Sequence, residues 1–470
     1  MGERFSDMEK AALVGKPASL GEIRPSEWDC LRRLREYPEL KANIETLLAI
    51  IENAGGDVEK AAEAERRIIE EMRKMGNEVM HSWARQQQQK KEAEYQAKPG
   101  MNRKEKNLYG HTRLGKIEIA EQIFTQGRGG PEIRPFSQSA EVKCRECSPG
   151  LQRAMVDFGA DHPFAGACPQ WHEHYGIEVA VSAVRMTTLH HGAAMLAQEN
   201  EQKPSHELKG AGVAVVIAEM DGSMLPVVET GESKPGETAP DRRKTRQVSW
   251  KEARLCLAHT PGSVTPAFGA TLGSVEEAGE RLAVCVGEAG GGNQTKIHGV
   301  GDGAVWITEQ MEQQCGVQAQ YLVDFYHLCD YLAAAAGAIA GQDKKSAWME
   351  EKKNWLKENR WPKVLESLRP FLEESSVDAQ APVRACFRYI SNRSSFLDYK
   401  SALAAGLPIG SGEIESAHRY IMQKRLKISG AWWKLENLSK MLALRVVRAN
   451  QGWEQYWRSV QQEEEAACAA

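Results

Sequence analysis

The chain has 470 residues, of which 42% are hydrophobic and 26% charged, with a formal net charge of −4. That length exceeds one ordinary core and predicts two to four domains of soluble globular type. The slightly acidic balance excludes a global attraction to nucleic acid, so any such contact has to rest on local basic patches. Ten cysteines without framework spacing argue for free thiols in a reducing interior. The start, M-G-E-R-F-S-D-M-E-K, is too polar for a signal peptide, and the apolar stretch Tyr331 to Gly341 is too short to span a bilayer. The expected location is the cytoplasm, with no membrane partner.

Residues 1–105 read as a helical N-terminal arm. Asp57 to Gln96 holds few breakers and carries the polar run Gln86 to Lys91, the pattern of a solvated helix or coiled-coil arm. A strand or hairpin region is expected over 106–148, because Asn107 to Ile133 alternates in T-R-L-G-K-I-E-I-A-E-Q-I-F before a glycine turn. Cys144-x-x-Cys147 supplies half of a structural zinc set, and His162, Cys168, His172 and His174 do not follow at finger spacing. Two thiols at a helix start are expected there, not zinc. Over 149–205 two short helices, 149–159 and 162–175, meet a turn at Tyr175-Gly176-Ile177, and a third helix opens near Ser182. That pattern fits a helix-turn-helix-like DNA-binding domain and a plain three-helix core equally well. In the first case Arg185, Thr187, Thr188 and His190 are the candidates to face DNA.

After a polar linker, Lys203 to Lys209, residues 206–332 read as the first part of an α/β core. Ala214 to Met220 is an apolar strand ending in Asp221-Gly222, and Met224 to Val228 is a second strand. Taken alone, Asp-Gly between two strands signals a hairpin turn. A loop, Gly231 to Pro240, leads to the basic cluster Arg242, Arg243, Lys244 and Arg246, which suits phosphate contact or a solvated charge run. Strand-like runs follow at Val248 to Ala258 and Thr265 to Leu272. A helix from Ser274 to Ala289 is then closed by Gly290 to Gly292. Thr295 to Leu332 next gives a β-type run ending on Asp302, a helix, and a β-type run ending on Asp324.

Sequential strands followed by β-α-β additions match a ribonuclease-H-like plan, in which the first and fourth strands are neighbours. Asp221 and Asp302 would then close adjacent strands at the edge where sites form in α/β sheets. Residues 333–402 read as a helical insertion, 403–460 as the last helices of the core, and 461–470 as a frayed tail. In A-A-G-L-P-I-G-S-G-E-I-E-S-A-H-R-Y, Pro408 and Gly410 to Gly412 make a tight start with Ser411 as a cap, and the helix beyond carries Glu415, His418 and Arg419. The helix Leu435 to Asn450 is expected to expose Arg445 and Arg448, which join Lys424 and Arg425 as DNA-binding candidates. The fold class is thus a multidomain α/β protein: a mixed-sheet core with a helical insertion, preceded by a helical arm and a helix-turn-helix-like domain.

Asp221, Asp302 and Glu415, if they converge, offer oxygen ligands for two divalent ions. Such ligands suit Mg²⁺ or Mn²⁺ and not zinc. Two such ions clamp the attacking and leaving oxygens of an in-line phosphoryl displacement without a histidine base. The chain has no G-x-x-x-x-G-K-S/T loop, so energy coupling by that type of ATPase is not indicated.

The motifs M-D-G-S-M, G-V-G-D-G-A-V-W-I, V-D-F-Y-H-L, G-S-G-E-I-E-S-A-H and I-S-G-A-W-W, in this order, resemble the DDE transposases of bacterial insertion sequences. The IS-Kra group, related in plan to Mutator-like enzymes, is the nearest resemblance, and it covers about residues 150–460. It implies a ribonuclease-H-like core, DNA cutting and strand transfer at element ends, double-stranded DNA as partner, and a homo-oligomer in synapsis. Carried over by position, Asp221 and Asp302 correspond to the two catalytic aspartates and Glu415 to the glutamate, with Glu413 a nearby competitor. Asp324 and His327 match a D-x-x-H motif that would orient the metal site or the transferred strand end; His327 reads equally as a packed histidine at a helix start. The cysteine pairs that relatives often carry in the preceding hairpin are missing at Ile123-Phe124-Thr125-Gln126.

Two rivals remain. Gly299-x-Gly301-x-x-Ala304 with Asp324 fits a relaxed dinucleotide-binding fingerprint, although Asp302 would repel a pyrophosphate and T-K-I-H makes a poor buried strand. A catalytically inactive DNA-binding regulator derived from a transposase is the other. An aspartyl-nucleophile phosphatase would need D-x-D where the chain has Asp221-Gly222-Ser223.

Overall fold

The computed structural model describes residues 25–53, 60–95, 98–127, 130–202, 210–230, 246–340, 344–374 and 377–469. They fall into two compact units, residues 1–152 with 168–179, and residues 153–167 with 180–470. The linker Lys203 to Lys209, the loop Gly231 to Pro240 and the basic residues Arg242, Arg243 and Lys244 lie outside the described residues. No described helix is long and apolar enough to cross a membrane.

In the first unit, helices α1 (Pro25–Leu34), α2 (Pro38–Ile51) and α3 (Ala61–Glu94) precede a hairpin of β1 (Met101–Thr112) and β2 (Gly115–Gln126). The strands pair antiparallel from Met101↔Gln126 to Thr112↔Gly115, so the hairpin starts before Asn107 and turns on Arg113-Leu114. Alternation along β2 turns Ile117 and Ile119 inward, where they meet Ala84 of α3, Leu108 and Phe136. Short elements complete the unit: β3 (Glu132–Ile133), α4 (Pro135–Ala140) and β4 (Glu146–Cys147). Cys147 thus ends a two-residue strand beside β1, one step before the helix start that the sequence suggested. Glu121 is buried and accepts from Ser137 N at 2.6 Å and Ser137 Oγ at 2.5 Å.

Next come α5 (Pro149–Asp161), α6 (Phe164–Tyr175) and α7 (Val181–Glu201), with the turn at Gly176 in a left-handed conformation (φ 65°). In the second unit α7 is a core helix. It buries Val184, Thr188, His191, Gly192 and Met195, and Met195 packs with Val156, Leu444, Tyr456 and Trp457. Of the residues expected to face DNA, Arg185 and His190 are exposed. Thr187 is half-buried, and Thr188 is buried with its hydroxyl donating to Val184 O at 2.7 Å.

The main sheet contains β5 (Val215–Thr230), β6 (Arg246–His259), β7 (Ala267–Thr271), then, after α8 (Val275–Glu288), β8 (Lys296–Gly301), and, after α9 (Val305–Cys315), β9 (Ala319–Val323). The spatial order is β7-β6-β5-β8-β9. β5, β6 and β7 form an antiparallel meander, and β8 and β9 add in parallel. The first and fourth strands are therefore neighbours. One correction concerns β5: Val215–Thr230 is a single strand, and Asp221-Gly222 is neither a strand end nor a turn but is paired with Leu255 and Arg254. What does end near Asp221 is the parallel pairing to β8, whose last partners are Glu219 and Val300. β8 is buried apart from Lys296, so the polar T-K-I-H is an interior strand after all.

Alternation along β5 and β6 sorts side chains onto two faces. Val216, Ala218, Met220 and Cys256 pack under α8 and α9. Leu225, Val227, Ala253, Leu255 and Leu257 pack on the other face against the C-terminal helices. After β9 the chain runs through α10 (Phe325–Ile339), α11 (Lys345–Lys357), α12 (Trp361–Leu368), α13 (Pro382–Asn392) and α14 (Tyr399–Ala404), which share a core of Leu328, Leu332, Leu356, Val364, Cys386 and Tyr399. It returns to the sheet in α15 (Gly412–Ala417), widens into one π-type turn at His418–Gln423, and ends in α16 (Leu435–Ala449) and α17 (Trp453–Ala469). The last helix continues to Ala469, where a frayed tail was expected.

Two arginines expected to meet DNA are interior residues. Arg445 is buried, ion-pairs with Asp161 and donates from Nε to Ile421 O at 3.2 Å. Arg425 is buried between the rings of Phe164 and Trp433, 4.8 Å from each centroid, and donates from Nε to Gly159 O at 3.1 Å. Arg448 is half-buried and bridges Asp157 at 3.1 Å and Asp161 at 3.2 Å. The amphipathic pattern of α16 was read with these arginines on the water side, but Asp161 recruits them inward. Lys424 is exposed, 3.6 Å from the same carboxylate. Removing one partner of a buried ion pair leaves the other charge uncompensated. Asp161→Ala is therefore expected to destabilise the second unit by about 3 kcal/mol, read as a drop in the urea midpoint.

Candidate functional site

Asp221 lies on β5 just past the end of its parallel pairing with β8, and Asp302 is the first residue after β8. Glu219 pairs with Val300 in parallel register, and each aspartate is two residues further on. Asp221 is half-buried, on the face of β5 that also carries Glu219, and its Oδ1 accepts from Gly222 N at 2.7 Å. Asp302 leaves the end of β8 in a tight turn, its Oδ1 accepting from Ala304 N at 2.8 Å. Gly303, at φ 79°, supplies a backbone conformation that other residues seldom adopt. The turn is clamped by groups from β9 and the helical insertion. Tyr389 OH donates to Asp302 O at 2.6 Å, Gly303 N donates to Tyr321 OH at 2.9 Å, and Arg393 Nε donates to Gly303 O at 2.9 Å. Burial raises the hydroxyl pKa of both tyrosines, so they remain neutral hydrogen-bonding groups.

Asp324 has a different role from a metal ligand. It is buried at the start of α10, where Oδ1 accepts from Tyr326 N at 2.6 Å and His327 N at 2.9 Å. Its Oδ2 accepts from Ser411 N at 2.6 Å and Ser411 Oγ at 2.5 Å. One carboxylate thus caps α10 and holds the segment leading into α15. Ser411 donates to Asp324 instead of capping its own helix. Phe325 N donates to Ile409 O at 2.8 Å and His298 Nε2 lies 2.8 Å from Pro408 O, so the same segment is tied to the start of α10 and to β8. Gly410 permits the close approach, since a Cβ there would meet the Tyr326 ring at 2.5 Å. His327 is half-buried against Tyr331 and Tyr389, a packed histidine at a capped helix start.

The cap of α15 comes from β5. Glu219, buried two residues before Asp221, accepts from Ile414 N through Oε2 at 2.8 Å. Desolvation pushes its pKa up to about 8; the Ile414 N–H opposes the rise, and the charges of Glu413, Asp324 and Glu415 add to it. A sequence signal existed, since Glu219 is a lone charge inside the apolar run A-V-V-I-A-E-M. Ile414 faces inward, and Glu413 and Glu415 flank it on the surface. Glu413 Oε2 is 2.9 Å from Nε2 of the buried His259, and Asp221 Oδ2 is 3.1 Å from Nε2 of the buried His418. Both nitrogens sit at hydrogen-bond distance without hydrogen-bond alignment. Glu415 precedes His418 by three residues and so shares its side of the helix. That favours Glu415 over Glu413 as the acid nearer Asp221.

The donor set of Asp221, Asp302 and Glu415 is chemically suited to a hard divalent cation. The assembled geometry is not: among the described residues no three histidine, cysteine, aspartate or glutamate side chains converge closely enough to hold a metal ion. Asp221 is fixed within β5 and Asp302 in the turn after β8, whereas the side chain of Glu415 on α15 is exposed. Of the other basic candidates, Arg246 lies on β6 with its guanidinium 3.5 Å from the centroid of the Trp432 ring.

The raised Glu219 pKa carries a stability consequence with a definite sign. The folded protein holds this proton up to about pH 8 and the unfolded chain releases it near 4.5, so the contribution is complete below 4.5 and is lost as pH rises through 8. Glu219→Gln keeps an acceptor for Ile414 N and cannot ionise. Its Tm relative to the wild type is expected to climb by about 5 °C or more between pH 4.5 and 9, measured by thermal unfolding across that range.

Comparison with known families gives one match: the model of an uncharacterised protein family, UPF0236, fits residues 287–466. That span contains Asp302, Asp324 and Glu415 and leaves out Asp221. No curated protein matches the chain.

Proposed function

We propose that the chain is a metal-dependent transposase of DDE type, built on a ribonuclease-H-like core, that cuts and joins DNA strands at the ends of an insertion sequence. The observation that carries this reading is the sheet order β7-β6-β5-β8-β9, with Asp221 on β5 and Asp302 directly after the neighbouring β8, each two residues beyond the last parallel pair Glu219↔Val300. The helix bearing Glu415 is hydrogen-bonded to the same strand through Glu219. A pair of divalent ions, when bound, would polarise an attacking water or 3′-hydroxyl and stabilise the leaving oxyanion. The chain's own residues supply the rest. Asp302 is fixed by the Tyr389, Tyr321 and Arg393 clamp, Asp221 is fixed by strand pairing, and Glu415 is carried by a helix whose start is held by two buried acids.

The dinucleotide reading loses its support. Gly299 and Gly301 are residues of β8 itself, not of a loop between strand and helix. The side-chain oxygens of Asp324 accept from Tyr326, His327 and Ser411 and are thereby engaged within the protein, not turned to a ribose.

The test is cleavage of element-end DNA with Mg²⁺. Asp221→Asn, Asp302→Asn and Glu415→Gln are each expected to reduce strand cleavage at least about 100-fold while leaving DNA affinity and Tm near those of the wild type. Full cleavage by any one variant removes that residue from the site. Full cleavage by Glu415→Gln together with loss in Glu413→Gln would transfer the role to Glu413.

A further inference from the structure

Beyond Asp221 the strands β5 and β6 continue as a ribbon, from Gly222↔Arg254 to Thr230↔Arg246. One face of this ribbon is filled by Leu225 and Val227, packed against Trp433 and the C-terminal helices. The opposite face carries Met224, Val248 and Trp250, and all three are exposed, Trp250 at 56%. Val227 bridges to Trp433, so the neighbouring Trp432 turns its ring to this second face, where Arg246 stacks on it at 3.5 Å. At the inner end Arg254 reaches Gly273 O at 2.8 Å and stands 5.4 Å from the ring of Trp306, just past the Asp302 turn. Glu252, the one acid in this row of β6, is ion-paired to Arg254. The result is a row of indole rings and guanidinium groups leading from the Asp302 edge to the ribbon tip.

An exposed tryptophan on a flat strand face, with a second ring already stacked by arginine, offers π-surfaces of the kind on which unpaired bases stack. The charge is of the matching sign: in sequence Arg242, Arg243 and Lys244 run directly into Arg246. Duplex DNA hides its base faces and leaves these rings uncovered. We propose that this face of the β5–β6 ribbon is a stacking platform for single-stranded DNA, with bases on Trp250 and Trp432 and phosphates on Arg246. The assignment rests on the transposase reading and names where an unpaired strand beside the acidic site would lie. Trp250 and Arg246 are four residues apart on one strand, roughly 13 Å at ~3.3 Å per residue.

The experiment measures binding of the full-length chain to a fluorescent oligothymidylate and to a mixed-sequence duplex, by anisotropy over a salt series. Trp250→Ala and Trp432→Ala are each expected to weaken single-strand binding roughly tenfold and to change duplex binding less than about twofold. Arg246→Ala should lower the salt slope by about one. Trp250→Phe should keep single-strand affinity where Trp250→Leu loses it, a comparison that separates stacking from loss of packing. Wild-type DNA binding with unchanged affinity in both tryptophan variants overturns the platform and leaves the transposase reading standing. A wild-type chain that binds neither probe overturns both. A fall in oligomeric state by light scattering, with single-strand affinity unchanged, would make the face a contact between copies of this chain and overturn the platform.

Discussion

Two buried carboxylates hold the candidate site together. Glu219 comes from β5 and Asp324 from the cap of α10 just past β9, and both accept backbone N–H groups at the start of α15, from Ile414 and Ser411. The first N–H groups of a helix have no intrahelical partner, and a negative or hydrogen-bonding group there is favourable twice over, by direct bonding and through the helix dipole. Ile414 and Ala417 pack the six-residue helix against the sheet, and the two acids fix its start. The position of Glu415 then follows from β5 and from the start of α10.

The same arrangement places carboxyl groups close together in a partly dry setting. Glu219, Asp324, Glu413 and Glu415 are near enough for the last three to raise the pKa of the first. Like charges brought together out of water favour a retained proton. They also favour whatever cation relieves them. The two buried histidines, His259 of β6 beside Glu413 and His418 at the end of α15 beside Asp221, each have an Nε2 that lacks an aligned partner. The π-type turn that begins at His418 is a local widening of the kind often found at working sites. Sheet and helix thus meet across two acid–histidine approaches as well as two acid–backbone bonds.

Much of this architecture could be read from the sequence, because period and punctuation carried it. The helix over Ser274 to Ala289 showed its glycine stop, and it forms over Val275–Glu288 with Ser274 Oγ accepting from Glu277 N. Asp302 and Asp324 each follow directly on a short β run. Asp221 was harder. Asp-Gly is a turn signal in isolation, and only cross-strand pairing with Leu255 and Arg254 keeps the backbone extended through it. Arg445 in an amphipathic helix looks solvated until a distant carboxylate, Asp161, is folded beneath it, and Arg425 looks solvated until the rings of Phe164 and Trp433 enclose it. The lone charge of Glu219 in an apolar run and the capping residue Ser411 were visible, but their partners Ile414 and Asp324 were not, since long-range hydrogen bonds leave no periodic trace.

The helical insertion deserves a different view from that of an ornament on the sheet. Tyr389 and Arg393 project from its α13 segment back onto the Asp302 turn, while Asn359 and Asp398 join its more distant parts at 2.5 Å. A smaller, insertion-free version of this chain would therefore keep every strand and still lose the brace on a key acid. Domain trimming, whether by evolution or at the bench, meets a limit here that strand boundaries alone do not reveal.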